Sequence, residues 1–477
     1  MKKSKMELKK PVWHKRFKDK IDPAVAQFMD STKDDEYLVH YEIMCSMAHA
    51  EMLKKQNIIT KQEFSKIKNG LNKILKDYRK GKFCLSSELE DVHMNVEFQL
   101  KKEIGETAER LHTARSRNDL IATELRLYCR DTLKRILKGI IDLQKAILRK
   151  AEKYKTVIIP GYTHLQQAQP MLVSFYLASF FYKFQRDFEQ LNELLKWINV
   201  SPLGSCAFAG TGIDIDRGFL AYKLGFRKPC ENTLDGVSDR DFLIDFLYYL
   251  ARIMLHISTV AEDLIIFSTN EFGLAGLDDS IMTGSSIMPQ KRNPDVCELL
   301  RAKTATAVGN LVGAMTLLKG LPSSYNRDLQ ELKSTLLKQV PETLQFLDIT
   351  KLLIMRFQFK PPEERWTKIE NFICCTDLVD FFVNEGYRFR FAYNLIGECI
   401  RNSECDIQKF INLIAEKTDI PPQIITKNLT PKNSIMNKVS AGSTGVKSAV
   451  HQIGQMKTKV INNLRLLHGL DNENSGV

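Results

Sequence analysis

The run Gly284-Ser285-Ser286-Ile287-Met288-Pro289-Gln290-Lys291-Arg292-Asn293-Pro294-Asp295 carries the densest set of chemically useful side chains in the chain. Its second half reads as a helix start, with Asn293 as N-cap, Pro294 in the first helical position and Asp295 in the first turn. Backbone N–H groups left free at such an end, with Lys291 just ahead of them, suit an anion. A well-capped loop-to-helix junction with no chemistry has the same spacing. Spacing alone leaves both readings open.

The elements that must position this run are helical. In 173–198, apolar side chains fall at Leu177, Phe180, Phe181, Phe184, Phe188, Leu191, Leu195 and Ile198, steps of three and four that keep one stripe against a neighbour. Leu133, Ile136, Leu137, Ile140, Ile147 and Leu148 repeat the theme in 125–150, as do Phe242, Phe246, Leu250, Ile253, Ile257, Val260 and Leu264 in 241–267. Helices of this length predict a bundle. Between them Pro160–His164, Ser201–Ser205 and Thr283–Ser286 read as loops, rich in Gly, Pro, Ser and Thr. Domain boundaries are expected near 120, after the polar run Arg115–Asp119, and near 360, at Pro361-Pro362. They divide the chain into an N-terminal helical domain (1–120), a central long-helix bundle (121–360) and a small C-terminal helical domain (361–477).

With 477 residues, 44% hydrophobic and 26% charged, the chain has the composition of an ordinary packed protein rather than a disordered or fibrous one. The ten cysteines show no CxxC pair, and no histidine spacing completes a zinc site, so they read as reduced thiols. The basic start MKKSKMELKKP is followed by no apolar stretch, and no run of about 18 apolar residues occurs, which predicts a cytoplasmic protein with no membrane association. The net charge of +12 is spread over many amphipathic segments instead of one block, which speaks against nucleic acid and for a solvated, lysine-rich surface.

The 284–295 run is similar to the GSSxMPxKxNP signature of the fumarase/aspartase superfamily. LHTARSRNDL (111–120), GYTHLQQAQP (161–170), SPLGS (201–205), VSDRDF (237–242) and GLPSSYNRDLQE (320–331) resemble its argininosuccinate lyase branch. The resemblance implies an all-α fold of three helical domains, with a central bundle that joins four chains into a twenty-helix core. It implies active sites shared between chains, no metal or other cofactor, and cleavage of argininosuccinate to arginine and fumarate. Elimination needs a base for a weakly acidic Cβ proton, stabilisation of the aci-carboxylate that results, and a proton for the leaving nitrogen. By this matching Ser285 is the base, its alkoxide stabilised by amides and Lys291. Lys291 and Asn293, with Gln290 beside them, hold the carboxylate. His164, steadied by Glu298, is either the general acid or a group that orients water and substrate. Arg117 and Asn118 match substrate-binding positions, and a guanidinium suits a carboxylate. Ser31, Thr163, Tyr325, Gln330 and Lys333 match positions that hold the rest of the substrate, with His93 and Arg240 behind them.

Four positions depart from the branch's pattern: Ala114 and Cys206 where glycine is common, Leu120 where glutamine follows the SRND run, and Leu332 where an acid precedes the lysine. Ala114 is expected to be strained if its backbone needs positive φ. SAGSTG at 440–445 resembles the branch's GGTAP segment only loosely. Two rival readings keep the same fold: a lyase releasing fumarate from another N-succinyl compound, and a non-enzymatic, crystallin-like protein.

Overall fold

The computed structural model describes residues 21–360 and 372–475, so the basic start and the boundary at Pro361-Pro362 lie outside the described residues. Counting helices of ten or more residues, α1 (Val39–Lys55), α2 (Lys61–Arg79) and α3 (Val92–Ile104) precede five long ones. These are α4 (Arg117–Lys153), α5 (Val173–Ile198), α6 (Asp241–Ser268), α7 (Asp295–Leu318) and α8 (Leu329–Arg356). Then come α9 (Cys375–Asn384), α10 (Phe389–Ser403), α11 (Ile407–Lys417) and the long α12 (Val446–Ser475). The three helices read from periodicity are α4, α5 and α6, and the residues of each predicted stripe are buried.

One hydrophobic core runs from α1 through α8 and takes in Ile453, Met456 and Val460 of α12, while α9–α11 gather around a second, smaller core. The last helix is fixed to the bundle by three buried amides. Gln144 of α4 donates to Gln185 of α5 at 2.9 Å, and Asn463 of α12 donates to Gln144 at 3.1 Å and to Gln185 at 2.9 Å. In a dry core each amide needs the others, because an unpaired one costs about 1–3 kcal/mol.

Helix α7 is the exception to this burial. Of its 24 residues only Cys297, Leu300, Thr304, Ala307 and Ala314 are buried, while Leu299, Val312 and Met315 are each more than half exposed. A long apolar helix left bare on one side is the kind of patch that partners cover.

Pro160–His164, read as a loop, is instead most of a strand. β1 (Ile158–Thr163) pairs antiparallel with β2 (Gln166–Leu172). Gly161 permits the pairing, since a Cβ there would stand 2.9 Å from the Gln169 carbonyl oxygen. Among the described residues no helix is long and apolar enough to cross a membrane.

Candidate active site

Ser31, Arg117, Tyr325, Gln330 and Lys333 line one cleft, brought together from the N-terminal segment, the start of α4 and the start of α8. At its floor Lys333 is ion-paired with Asp35 and lies 3.4 Å from Ser31 Oγ, and all three are buried. Ser31 Oγ donates to Asp35 Oδ2 at 2.9 Å, and the amide of Val92 donates to the same oxygen at 3.0 Å. Arg117 meets Asp91 at 2.9 Å and Glu90 at 3.4 Å, and Arg327 also pairs with Glu90. Burial pushes the Asp91 carboxyl above its ordinary range, against the opposing pull of Arg117.

Glu90 holds this wall by its backbone as well. It has φ +70° and ψ −46°, and the Asp91 amide donates to the Leu89 carbonyl at 2.7 Å, closing a γ-turn of the rarer, strained form. The Glu90 carbonyl accepts the amide of Ser31 at 3.0 Å. Sequence reading missed Asp35, Glu90 and Arg327 as members of the cleft. Arg327 stands inside the YNRDLQE segment, but Asp35 sits in the run Asp34-Asp35-Glu36, which reads as an ordinary solvated stretch and gives no local signal.

The turn before α4 is built around Asp119. It closes a capping box with Ser116 and accepts the amides of Gly204 at 2.9 Å and Cys206 at 2.8 Å. Burial pushes its carboxyl up to about 6 despite these donors. Asn118 donates to the Ala207 carbonyl at 3.0 Å, tying the same loop. The two departures from glycine meet here: Ala114 and Cys206 both have φ +55°, and the Cys206 thiol lies 3.3 Å from the Ala114 carbonyl oxygen. The expected strain at Ala114 is therefore present, and Cys206 shares it. Leu120 and Leu332 are fully buried.

Arg240 is 2% exposed and donates to the carbonyls of Val237 and Asp239. Burial lowers its guanidinium pKa to about 10, while Tyr325 acts in the opposite sense. His93 is buried against Glu42 and is not among the residues lining the cleft.

Thr163 and His164 project elsewhere. His164 and Leu165 form the two-residue turn between β1 and β2, with φ +53° and +57°. Left-handed backbone at both positions matches the strand twist but is costly for leucine, and such strain gathers at functional sites. The hairpin walls a second, larger pocket with Tyr176, Asp263, Phe267, Lys438 and Thr444. The Thr444 hydroxyl accepts the Leu172 amide at 2.8 Å, which gives the loosely matching 440–445 segment a place beside the hairpin.

Ser285 lies on a third, open element. Thr283–Gly284 pairs with Arg292–Asn293, closing a loop whose tip carries Ile287, 83% exposed, with Gln290 and Lys291 also exposed. The Ser285 Oγ accepts the amides of Ile287 at 3.3 Å and Met288 at 3.1 Å, donors of the kind that stabilise an alkoxide. The helix begins one residue later than read: Asn293 is held extended opposite Thr283, so Pro294 becomes the N-cap of α7. Glu298 is exposed one turn into α7, and within the chain it makes no hydrogen bond with His164. Neither Ser285 nor Lys291 lines the cleft or the His164 pocket.

The Lyase family matches residues 15–309. Argininosuccinate lyase of Alkaliphilus metalliredigens is 41% identical over 454 residues, covering 94% of this chain and 98% of its own. That of Crocosphaera subtropica is 40% identical over 456 residues, with the same shares. The chain belongs to the argininosuccinate lyase family. The likeness reaches plants, since the chloroplastic argininosuccinate lyase of Arabidopsis thaliana is 38% identical over 453 residues, 94% of this chain and 88% of that one. Among solved structures, EDDS lyase in complex with formate superposes with a TM-score of 0.81 at 24% identity, covering 92% of this chain and 89% of that one. A class II fumarase from Schistosoma mansoni reaches 0.71 at 18% identity, with 86% and 93% covered. These structural neighbours establish the fold, and family members supply the activity to be tested.

Proposed function

We propose that the chain cleaves argininosuccinate into L-arginine and fumarate, as a step of arginine biosynthesis in the cytoplasm. The observation that carries this reading is the full-length likeness, near 40%, to relatives bearing that one activity, in a chain that keeps the SRND, THLQ, GSSIMPQKRNP and YNRDLQE segments.

Ser285, as alkoxide, takes the proton from the succinyl Cβ. The electron pair passes into the adjacent carboxylate, which Lys291 and Asn293 hold while it carries extra charge. As the aci-carboxylate collapses, the C–N bond breaks toward the guanidino nitrogen, which receives a proton with His164 as donor or as the group that orients the donor. Glu298 accepts from the other imidazole nitrogen and fixes the tautomer. The cleft around Ser31, Arg117, Asn118, Tyr325, Gln330 and Lys333 binds the remainder of the substrate, with Thr163 reaching it from the β1–β2 hairpin and Gln290 from the open loop. The open Gly284–Lys291 loop closes over the bound molecule.

Assembly into a homotetramer joins the separated groups. Helices α4–α8 from each of four chains make up a twenty-helix core, with the bare side of α7 covered there. The three site elements then meet across chains. Three separate assays test the reading, measuring fumarate release from argininosuccinate, adenylosuccinate and aspartate by ultraviolet absorbance. Release from argininosuccinate alone is expected, and release from either other substrate without it rejects the assignment.

A further inference from the structure

Behind the cleft, away from the residues assigned to elimination, His93, Glu97 and His112 bring one ligand atom each to within 4.8 Å of one another. His93 and Glu97 lie one turn apart on the same face of α3, and His112 returns from the one-sided 3₁₀ segment Gly105–His112 that follows. Glu97 Oε2 is 3.8 Å from His93 Nε2 and 3.9 Å from His112 Nδ1.

The outer contacts fix the chemistry of these atoms. Glu42 Oε2 lies 3.3 Å from His93 Nδ1, and a proton shared between those two atoms leaves Nε2 as the ring's ligand atom. That Nε2 is buried with no hydrogen-bond partner among the described residues, on a side chain only 4% exposed, and it faces the carboxylate of Glu97. A lone pair opposed to a carboxylate oxygen calls for a cation between them. His112 Nδ1 faces the same Glu97 oxygen at 3.9 Å and brings the second imidazole to the group. The carboxylate–histidine relay from Glu42 is the arrangement that orients metal-binding imidazoles.

We infer that His93, Glu97 and His112 form a site for a first-row divalent metal ion, with Glu42 as the outer partner of His93. Two imidazoles and one carboxylate suit Zn²⁺ or Co²⁺ and leave open positions for water, whereas Mg²⁺ prefers oxygen ligands throughout. Metal–ligand distances of about 2.0–2.2 Å require Glu97 and each imidazole to draw together by roughly half an ångström. The ion is not part of the elimination. It pins the Gly105–His112 segment to α3, and so steadies the two stretches that carry Asp91 and Arg117 into the cleft.

The test uses the full chain, stripped with chelator and titrated with Co²⁺ alone. Visible d–d absorption and isothermal titration are expected to give one Co²⁺ per chain, displaced by Zn²⁺ and not by excess Mg²⁺. His112 is half exposed, so His112→Ala is expected to keep the helical circular dichroism while weakening Co²⁺ binding by more than about 100-fold, since losing even an outer partner typically costs about 10–100-fold. Glu97→Gln is expected to do the same. No spectral change on adding Co²⁺ to the unaltered chain, or equal binding by both variants, overturns the site. None of these readings depends on fumarate release, so the metal site and the lyase activity succeed or fail separately.

Discussion

The Lys333 cleft and the Ser285 loop are opposite solutions to holding a polar side chain. In the cleft, Lys333, Asp35 and Ser31 are buried and satisfy one another, with the amide of Val92 completing the set. On the loop, Lys291 and Gln290 stand in solvent, and among the described residues Ser285 is met only by the amides of its own turn. The contrast separates two tasks. A binding surface gains from being finished before the substrate arrives, because rigid groups lose little freedom on binding. On the proposed mechanism the loop carries the base and its electrostatic partner, which must let the substrate in before water is excluded and so belong on an open element.

Substitution at each end tests that division. Ser285→Ala is expected to cut turnover by about 10²–10⁴-fold with an unchanged thermal midpoint, the range for losing a general base. Lys291→Met is expected to act likewise, and near-normal turnover in either variant removes that residue from the chemistry. In the cleft the cost falls on folding. Lys333→Met leaves Asp35 buried and uncompensated, so urea unfolding is expected to show a loss of about 3–5 kcal/mol, much of it recovered when Asp35→Leu is added. A loss below about 1 kcal/mol would mean that the cleft is not preassembled. On the bare side of α7, Val312→Glu with Met315→Glu is expected to leave each chain helical, to prevent the proposed tetramer from forming in size-exclusion chromatography and to abolish fumarate release. A variant that stays tetrameric would separate the exposed face from assembly. The smallest effect is expected from Ala114→Gly, a gain of about 0.5–1 kcal/mol in thermal unfolding as left-handed strain is relieved.

Much of this could be read from the sequence where a signal is periodic or contiguous. Helices α4, α5 and α6 announce themselves through stripes of Leu, Ile and Phe, and the GSSIMPQKRNP run stands out because its residues are neighbours in the chain. The β1–β2 hairpin was hidden because Gly161, Pro160 and Pro170 imitate loop punctuation, and because its His164-Leu165 turn lacks the glycine or asparagine that usually marks left-handed turns. The partners that hold the cleft were hidden for another reason. Asp35 lies 298 residues from Lys333, and Glu90 lies 237 from Arg327, so no local pattern links them. The N-cap of α7 was placed one residue early because propensity favours Asn293, whereas its pairing with Thr283 decides the backbone.

The amide cluster of Gln144, Gln185 and Asn463 also bears on how the protein is made. Asn463 lies 278 residues after Gln185, so on the ribosome α4 and α5 are complete long before the helix that finishes their packing exists. At about 5–20 residues per second that interval is on the order of 15–60 s, during which two amides destined for the interior still face water in place of their third partner. The bundle's last contact is thus its least local, and the nascent chain carries an unfinished seam until translation nearly ends. A chaperone that shields this seam would find its target along α4 and α5, on the side that α12 later covers.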